Sequence, residues 1–389
     1  MEIPDAMRDF DSEEQLRQAR RAKKRAQMRR QQRRRARQRR MLVFGIACCL
    51  LIFLAGLGVH TLFGKKDREE PAAESQVIEA VQADQTDETA QQEPQGQELV
   101  QEELKESQEE EPVWNLPFMQ GYTFASADTT TGVNEETVPS KHVILVDLDQ
   151  NTIRARRGEK DRISPASMTK ILTVLVAAEH ITDLDDTFTI TREITDYSYS
   201  NDCSAAGFGD GETVMVRDLM YGTILPSGAD AAAGLAYYVS GSLEGFVQLM
   251  NEKIEELGLS GTSHFTNCVG LYDEDHYCTA EDMAVMLKAA VENELCREVL
   301  SAHTYKTSTT EQHPDGIELS NWFLRRIEDK DTKGEVVCAK TGYVIQSGNC
   351  AASYMVTDSG KHYICVTADA YSSWRCIYDH VAVYQQYTE

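Results

Sequence analysis

The sequence predicts an α/β domain of the α+β kind, about 250 residues long, with strands at both ends, helices between them and an antiparallel sheet shared by the terminal strands. Three observations predict it. Short apolar runs bounded by turn residues open and close the stretch from Val138 to Glu389, helical periodicity fills its middle, and the first quarter of the chain has no globular composition. There is no internal repeat.

Residues 1–40 form a basic tail, mostly Arg, Lys and Gln from Arg17 to Arg40, although the whole chain carries a formal net charge of −24. Everything after the tail is therefore strongly acidic, which argues against nucleic acid as its partner. Residues 41–63 are apolar and free of Asp, Glu, Lys and Arg, long enough to cross a bilayer as one helix. We read them as an uncleaved signal anchor; a cleaved signal peptide has a shorter apolar region and no basic stretch of this length before it. Basic residues before the span put the N-terminus in the cytoplasm and the rest outside, at the cell membrane, and the basic run itself reads as a topology signal or as a binder of anionic lipid or RNA. Cys48 and Cys49 fall near the span's centre as packing residues.

Residues 64–112, rich in Glu, Gln, Asp and Ala, cannot bury enough apolar surface to offset their ordering entropy and read as an acidic disordered linker. Fully extended, such a segment reaches on the order of 150 Å. A leader follows at 113–137, opening on the aromatic cluster Val113–Met119, for which docking on the domain and a loose lead-in both remain open. The folded domain is placed at 138–389.

His142–Asp147 and Thr152–Arg156 read as strands around the turn Asp149-Gln150-Asn151. Asp147-x-Asp149-x-Asn151 opens like a calcium loop but lacks its glycine and closing glutamate, so metal is set aside. Pro165 suits a first helical turn ahead of the apolar run Ile171–Ala178, and Val216–Leu225, Ala229–Val239 and Ser242–Leu257 carry helical periodicity. Thr279 caps a further helix to Ala290. Glu335–Gly342, Asn349–Val356 and His362–Ala368 read as strands, the last two joined at Asp358-Ser359-Gly360.

The chemistry begins at Ser167-Met168-Thr169-Lys170. Ser167 and Lys170, three apart, share one face at a helix N-terminus. A serine hydroxyl is a poor nucleophile until a base takes its proton, a buried lysine can be neutral enough to do so, and free N–H groups at the helix start suit a developing oxyanion.

Two more elements follow in order, Leu225-Pro226-Ser227-Gly228-Ala229-Asp230 and Lys340-Thr341-Gly342, with His276-Tyr277-x-Thr279-Ala280 between them. Together they resemble the serine D-alanyl-D-alanine carboxypeptidase family, the low-molecular-mass penicillin-binding proteins of peptidase family S11, whose signature is Ser-x-x-Lys, Ser-x-Asn and Lys-Thr-Gly. The resemblance covers roughly Val138 to the C-terminus. It implies a β-lactamase/transpeptidase-like fold with a helical cluster on the sheet, removal of the terminal D-Ala from peptidoglycan stem peptides through an acyl-enzyme on Ser167, β-lactams as partners, and no cofactor. Residue by residue it implies Lys170 as the activating base and Ser227 as proton relay to the departing D-alanine. Lys340, Thr341, Gly342 and Tyr343 would bind substrate, the Lys340 and Thr341 side chains taking the terminal carboxylate and the N–H groups of Ser167 and Tyr343 the oxyanion. Lys340 near Lys170 would also lower the proton affinity of both amines.

One position departs from the signature: Ala229 stands where the family has Asn. Alanine offers neither donor nor acceptor, which leaves a second reading, a catalytically impaired wall-binding or scaffold homologue. Asp230 is not read as compensation, and Ser347-Gly348-Asn349, which spells the missing motif, is read as coincidence. A β-lactamase needs a deacylating glutamate that the sequence does not assign. The apparent absence of a C-terminal amphipathic anchor helix fits an N-terminal span in that role. Eight cysteines follow residue 200: Cys203, Cys268, Cys278, Cys296, Cys338, Cys350, Cys365 and Cys376. They read either as disulfides, with Cys338–Cys350 or Cys350–Cys365 across adjacent strands, or as free buried thiols, while zinc is not expected.

Overall fold

The computed structural model describes residues 123–389. The basic tail, the apolar span at 41–63, the acidic linker and the start of the leader lie outside them. The described chain opens with β1 (Ala125–Gly132), β2 (His142–Asp147) and β3 (Thr152–Arg157). A 3-10 turn at Ala166–Met168 leads into α1 (Thr169–His180); β4 (Thr187–Thr189), α2 (Arg192–Ser200) and β5 (Thr213–Met215) follow. The helices α3 (Val216–Ile224), α4 (Ala229–Ser240), α5 (Leu243–Glu256), α6 (Ala280–Glu292) and α7 (Glu294–Ser301) come next. A small ribbon of β6 (Thr304–Lys306) and β7 (Glu318–Ser320) and the short α8 (Leu324–Ile327) precede β8 (Gly334–Val344), β9 (Gly348–Thr357) and β10 (His362–Ala370), and α9 (Ser373–Tyr387) closes the fold.

Six of the strands make one sheet in the order β1-β3-β2-β10-β9-β8, so the N-terminal and C-terminal strands meet where β2 pairs antiparallel with β10. Alternation along each strand feeds two cores. On β9, Ala352 and Tyr354 face the helical cluster while Ala351 and Met355 face the opposite layer with α8 and α9. The strands β2, β9 and β10, covered on both faces, are buried along nearly their whole length, which is why they are easy to read. Among the helices α1 lies deepest. Every residue from Thr169 to Ala177 is buried, as expected of a helix apolar nearly all round.

The strand and helix boundaries read from the sequence agree with these to within about two residues. The small strands β4 to β7 and the helices α2, α7 and α8 were not read from the sequence, and two further unexpected elements bear on the main sheet. The leader contributes β1, which pairs parallel with β3, so the folded part starts before Val138 and the sheet is not wholly antiparallel. The C-terminal segment forms α9, whose Cys376, Ile377, Asp379, His380, Val383 and Tyr384 are buried against the sheet. It is a core helix. The Ser347-Gly348-Asn349 stretch lies at the β8–β9 turn, where the Ser347 hydroxyl accepts from Val344 N at 3.1 Å and Asn349 Nδ2 donates to Ala370 O at 3.2 Å.

The eight cysteines are all free. Register explains why neither anticipated bridge forms: Cys338 stands opposite Tyr354, Cys350 opposite Gly342 and Cys365 opposite Ser353. Cys365 also belongs to the other face of the sheet from Cys350. Seven of the eight are buried and Cys203 is half-buried. Of these eight, a thiol reagent added to the native full chain should therefore modify Cys203 at once, and the other seven only as denaturant opens the fold. Rapid native modification of Cys365 or Cys376 would show that α9 does not stay docked.

Candidate active site

Ser167 sits on the 3-10 turn before α1, where Met168 N donates to Pro165 O at 3.1 Å. The residue before it, Ala166, is held at φ +47°. A left-handed alanine is strained, and such strain persists only where the surroundings impose it. Here a neighbouring loop leans on it. Gly270, at φ +85°, lies so close that an added Cβ would stand 1.9 Å from the Ala166 carbonyl oxygen and 2.8 Å from Ser167 N. Only glycine allows that approach.

Lys170 Nζ stands 3.2 Å from Ser167 Oγ and donates to the Val269 carbonyl at 2.7 Å. The lysine is 2% exposed, and burial pushes its pKa from 10.5 down to about 8. Across the cleft, Ser227 links α3 to α4 at φ +62°, and Lys340 Nζ donates to its Oγ at 3.0 Å and to Thr341 O at 2.8 Å. Burial first, and then the Lys170 charge, hold Lys340 well below the ordinary lysine range. The two serines thus each have an amine of lowered proton affinity in reach.

The third motif lies on β8, at the edge of the sheet. An added Cβ on Gly342 would meet Pro165 O and Ser167 N at 2.9 Å, so the strand runs directly against the nucleophile's turn. Thr341 is half-buried and Tyr343 is 59% exposed at the rim. An edge strand with a free row of backbone groups can accept an extended peptide alongside it. A cavity of about 360 Å³ opens beside the second motif, lined by Thr195, Tyr199, Cys203, Phe208 and Asp230 among others.

All of the residues singled out from the sequence therefore converge, Tyr343 at the margin. Ala229 is fully buried at the start of α4, with its N–H donating to Ser204 O at 2.8 Å. Asp230 does not stand in for the absent asparagine. Its carboxylate accepts from the backbone N–H groups of Ala206, Gly207 and Phe208 at 2.7–3.1 Å and fixes that loop. Sequence reasoning missed the other wall of the site, the loop that supplies Val269 and Gly270. Its cue was the flanking His276. Thr266 N donates to His276 Nδ1 at 3.1 Å, which leaves Nε2 to bond Thr169 Oγ1 at 2.8 Å, and burial lowers the ring's pKa to about 4, keeping it neutral. Among the described residues no group of three His, Cys, Asp or Glu is placed to hold a metal ion.

The lowered proton affinity of Lys170 has a sign that stability measurements can read. Unfolding restores the ordinary lysine pKa, so the unfolded chain binds more protons between about pH 8 and 10.5, and the penalty of burying the charge is full below that window and relieved across it. The melting temperature of wild type should thus gain on that of Lys170→Met as pH rises through this window. Parallel melting curves would mean that Lys170 is not dry.

A family model described as D-alanyl-D-alanine carboxypeptidase matches residues 129–372. The D-alanyl-D-alanine carboxypeptidase DacF of Bacillus subtilis is 35% identical over 155 residues, 40% of this chain and 40% of that protein. That of Streptomyces strain K15 is 32% identical over 190 residues, 47% of this chain and 65% of that protein. The chain thus matches between 40% and 65% of the length of these two curated relatives. In three dimensions the Streptomyces K15 DD-transpeptidase superposes with a TM-score of 0.59 at 26% identity, over 65% of this chain and 98% of that one. The family match spans well over half the sequence and contains all three motifs on a fold of transpeptidase type, and the chain belongs to the D-alanyl-D-alanine carboxypeptidase family, peptidase family S11.

Proposed function

We propose that the protein is a serine-type D-alanyl-D-alanine carboxypeptidase that removes the terminal D-Ala of peptidoglycan stem peptides. The observation that carries this reading is the pairing of Ser167 Oγ with the buried Lys170 amine at 3.2 Å, opposite a Ser227 hydroxyl held by Lys340 at 3.0 Å. At pH 7.5 an amine of pKa about 8 is neutral in about a quarter of molecules, against well under 1% for an ordinary lysine.

The substrate lies along the β8 edge with its terminal carboxylate at Lys340 and Thr341. That carboxylate supplies a counter-charge to the buried Lys340 and favours its ammonium form. Ser167 Oγ attacks the carbonyl carbon of the penultimate D-Ala while Lys170 takes its proton. The N–H groups of Ser167 and Tyr343 receive the oxyanion, each donor supplying a few kcal/mol. As the intermediate collapses, the C–N bond breaks and the proton returns through Ser227 to the departing D-alanine amine. Water then hydrolyses the ester and restores Ser167. A penicillin acylates the same oxygen, its β-lactam amide standing in for the scissile bond.

In this reading the apolar segment 41–63 anchors the chain as a single pass with the N-terminus in the cytoplasm, and the catalytic domain works outside, at the end of the acidic linker. Protease added to intact cells should then degrade the domain and leave the basic tail.

Intact-mass spectrometry of the full chain in detergent with penicillin should show one penicilloyl adduct that is absent from Ser167→Ala. D-Alanine should be released from a diacyl-Lys-D-Ala-D-Ala peptide, with acylation rising to a plateau above about pH 8 as Lys170 loses its proton. Labelling of wild type and Ser167→Ala alike would end this reading. The buried Ala229 favours one rival, an impaired wall-binding homologue, and an adduct without D-alanine release would support it.

A further inference from the structure

Three side chains on one face of α1 reach the same stretch of chain, residues 266–276. Thr169 Oγ1 bonds His276 Nε2 at 2.8 Å, Lys170 Nζ donates to Val269 O at 2.7 Å, and Thr173 Oγ1 donates to Cys268 O at 2.7 Å. The partner of Lys170 is therefore a main-chain carbonyl, and a carbonyl points wherever its peptide plane is held. One side chain holds that plane. Asn267 Oδ1 accepts from Val269 N at 3.2 Å, Gly270 N at 2.7 Å and Leu271 N at 2.9 Å, and Asn267 Nδ2 donates to Leu271 O at 3.0 Å. A single carboxamide closes the turn from both sides. The same turn carries Gly270, which presses on the strained Ala166 next to Ser167.

The orientation of the amine matters to the chemistry. A neutral amine has two N–H donors and one lone pair, and to accept the Ser167 proton the lone pair must face the hydroxyl. An N–H committed to Val269 O turns the lone pair that way. Ala229, at the position from which the second motif would reach the lysine, has no polar side-chain atom to help.

We propose that Asn267 is a positioning residue for the reaction: by fixing the 267–271 turn it aims the Val269 carbonyl at Lys170 Nζ and keeps the base oriented toward Ser167. This rests on the acyl-enzyme reading above, and the test separates the two. The full chain in detergent is acylated by a fluorescent penicillin in single turnover between pH 6 and 10, as wild type, Asn267→Ala and Asn267→Asp. Loss of the turn should lower the limiting acylation rate of Asn267→Ala by about 10²-fold, the expected effect of misplacing a reacting group by about 1 Å. Its half-saturating penicillin concentration should change little, because the Lys340 side of the cleft is untouched. The acid limb of its rate profile should move to lower pH, since the carbonyl that favours the ammonium is lost. Asn267→Asp keeps an oxygen for the three N–H donors and should hold the alkaline rate within about tenfold. Its added carboxylate favours the ammonium, so its acid limb should move to higher pH.

Opposite displacements of the limb support the proposal. Rates and limbs equal to wild type in both variants, or rates that fall only in step with melting temperature and with the limb unmoved, overturn it. Should Asn267→Ala fail to fold, the limb of Asn267→Asp decides alone, upward in support and unmoved against. A wild type that takes no penicillin overturns both readings, whereas a labelled wild type with unmoved variants overturns this one only.

Discussion

The amine of Lys170 stays dry because of the helix that carries it, and much else in the molecule follows from that. α1 is packed by α3, α4, α5, α6 and α7 on its sides, so a lysine in its first turn has nowhere to extend but along the core, towards Ser167. Burying an ammonium is unfavourable unless it is paired or loses its proton. Here a carbonyl and a hydroxyl partner the nitrogen, and the remaining desolvation appears as weakened proton affinity. The packing that stabilises the fold is the packing that makes the base, so a mutation that loosens this core acts on reactivity and stability together.

The sheet provides the opposite wall. Its edge strand β8 brings Lys340 to Ser227 and Gly342 to the nucleophile's turn, and it is backed by β9 and β10 with apolar layers on both faces. Two non-glycine residues held at positive φ in this region, Ala166 and Ser227, lie at the two serine motifs, and β8 abuts the turn of the first through Gly342 and bonds the second through Lys340. Strain of about 1–3 kcal/mol per residue is affordable only in surroundings that do not yield.

The sequence announced some of this well and some not at all. The motif residues were legible because their roles belong to side chains at fixed spacing, and the central strands β2, β9 and β10 because strands covered on both faces are nearly continuously apolar. β1, with the sequence Ala-Ser-Ala-Asp-Thr-Thr-Thr-Gly, carries no apolar alternation, since only pairing to β3 holds it. α9 buries Asp379 and His380 among its apolar residues, their partners being Ser140 and Arg375 for the first and Ser353 and Thr367 for the second. That breaks the stripe a reader looks for. α2 buries only Ile194 and Ser198. The Asn267 turn left only the flanking His276 as a cue for a different reason: what it contributes is a main-chain oxygen, and every residue has one of those.

The free thiols bear on a different moment in the protein's life. Among the described residues seven of the eight sulfurs are sealed inside and no bridge is present to break, so the folded domain offers the redox poise around it little beyond Cys203. The newly made chain offers more. Until the cores close, each of those sulfurs can be captured by another, and the wrong partner would lock strands such as β8 and β10 out of register. An oxidant therefore competes with folding rather than with the folded protein, and the yield of native molecules becomes a race between collapse of the core and formation of the first stray sulfur–sulfur bond.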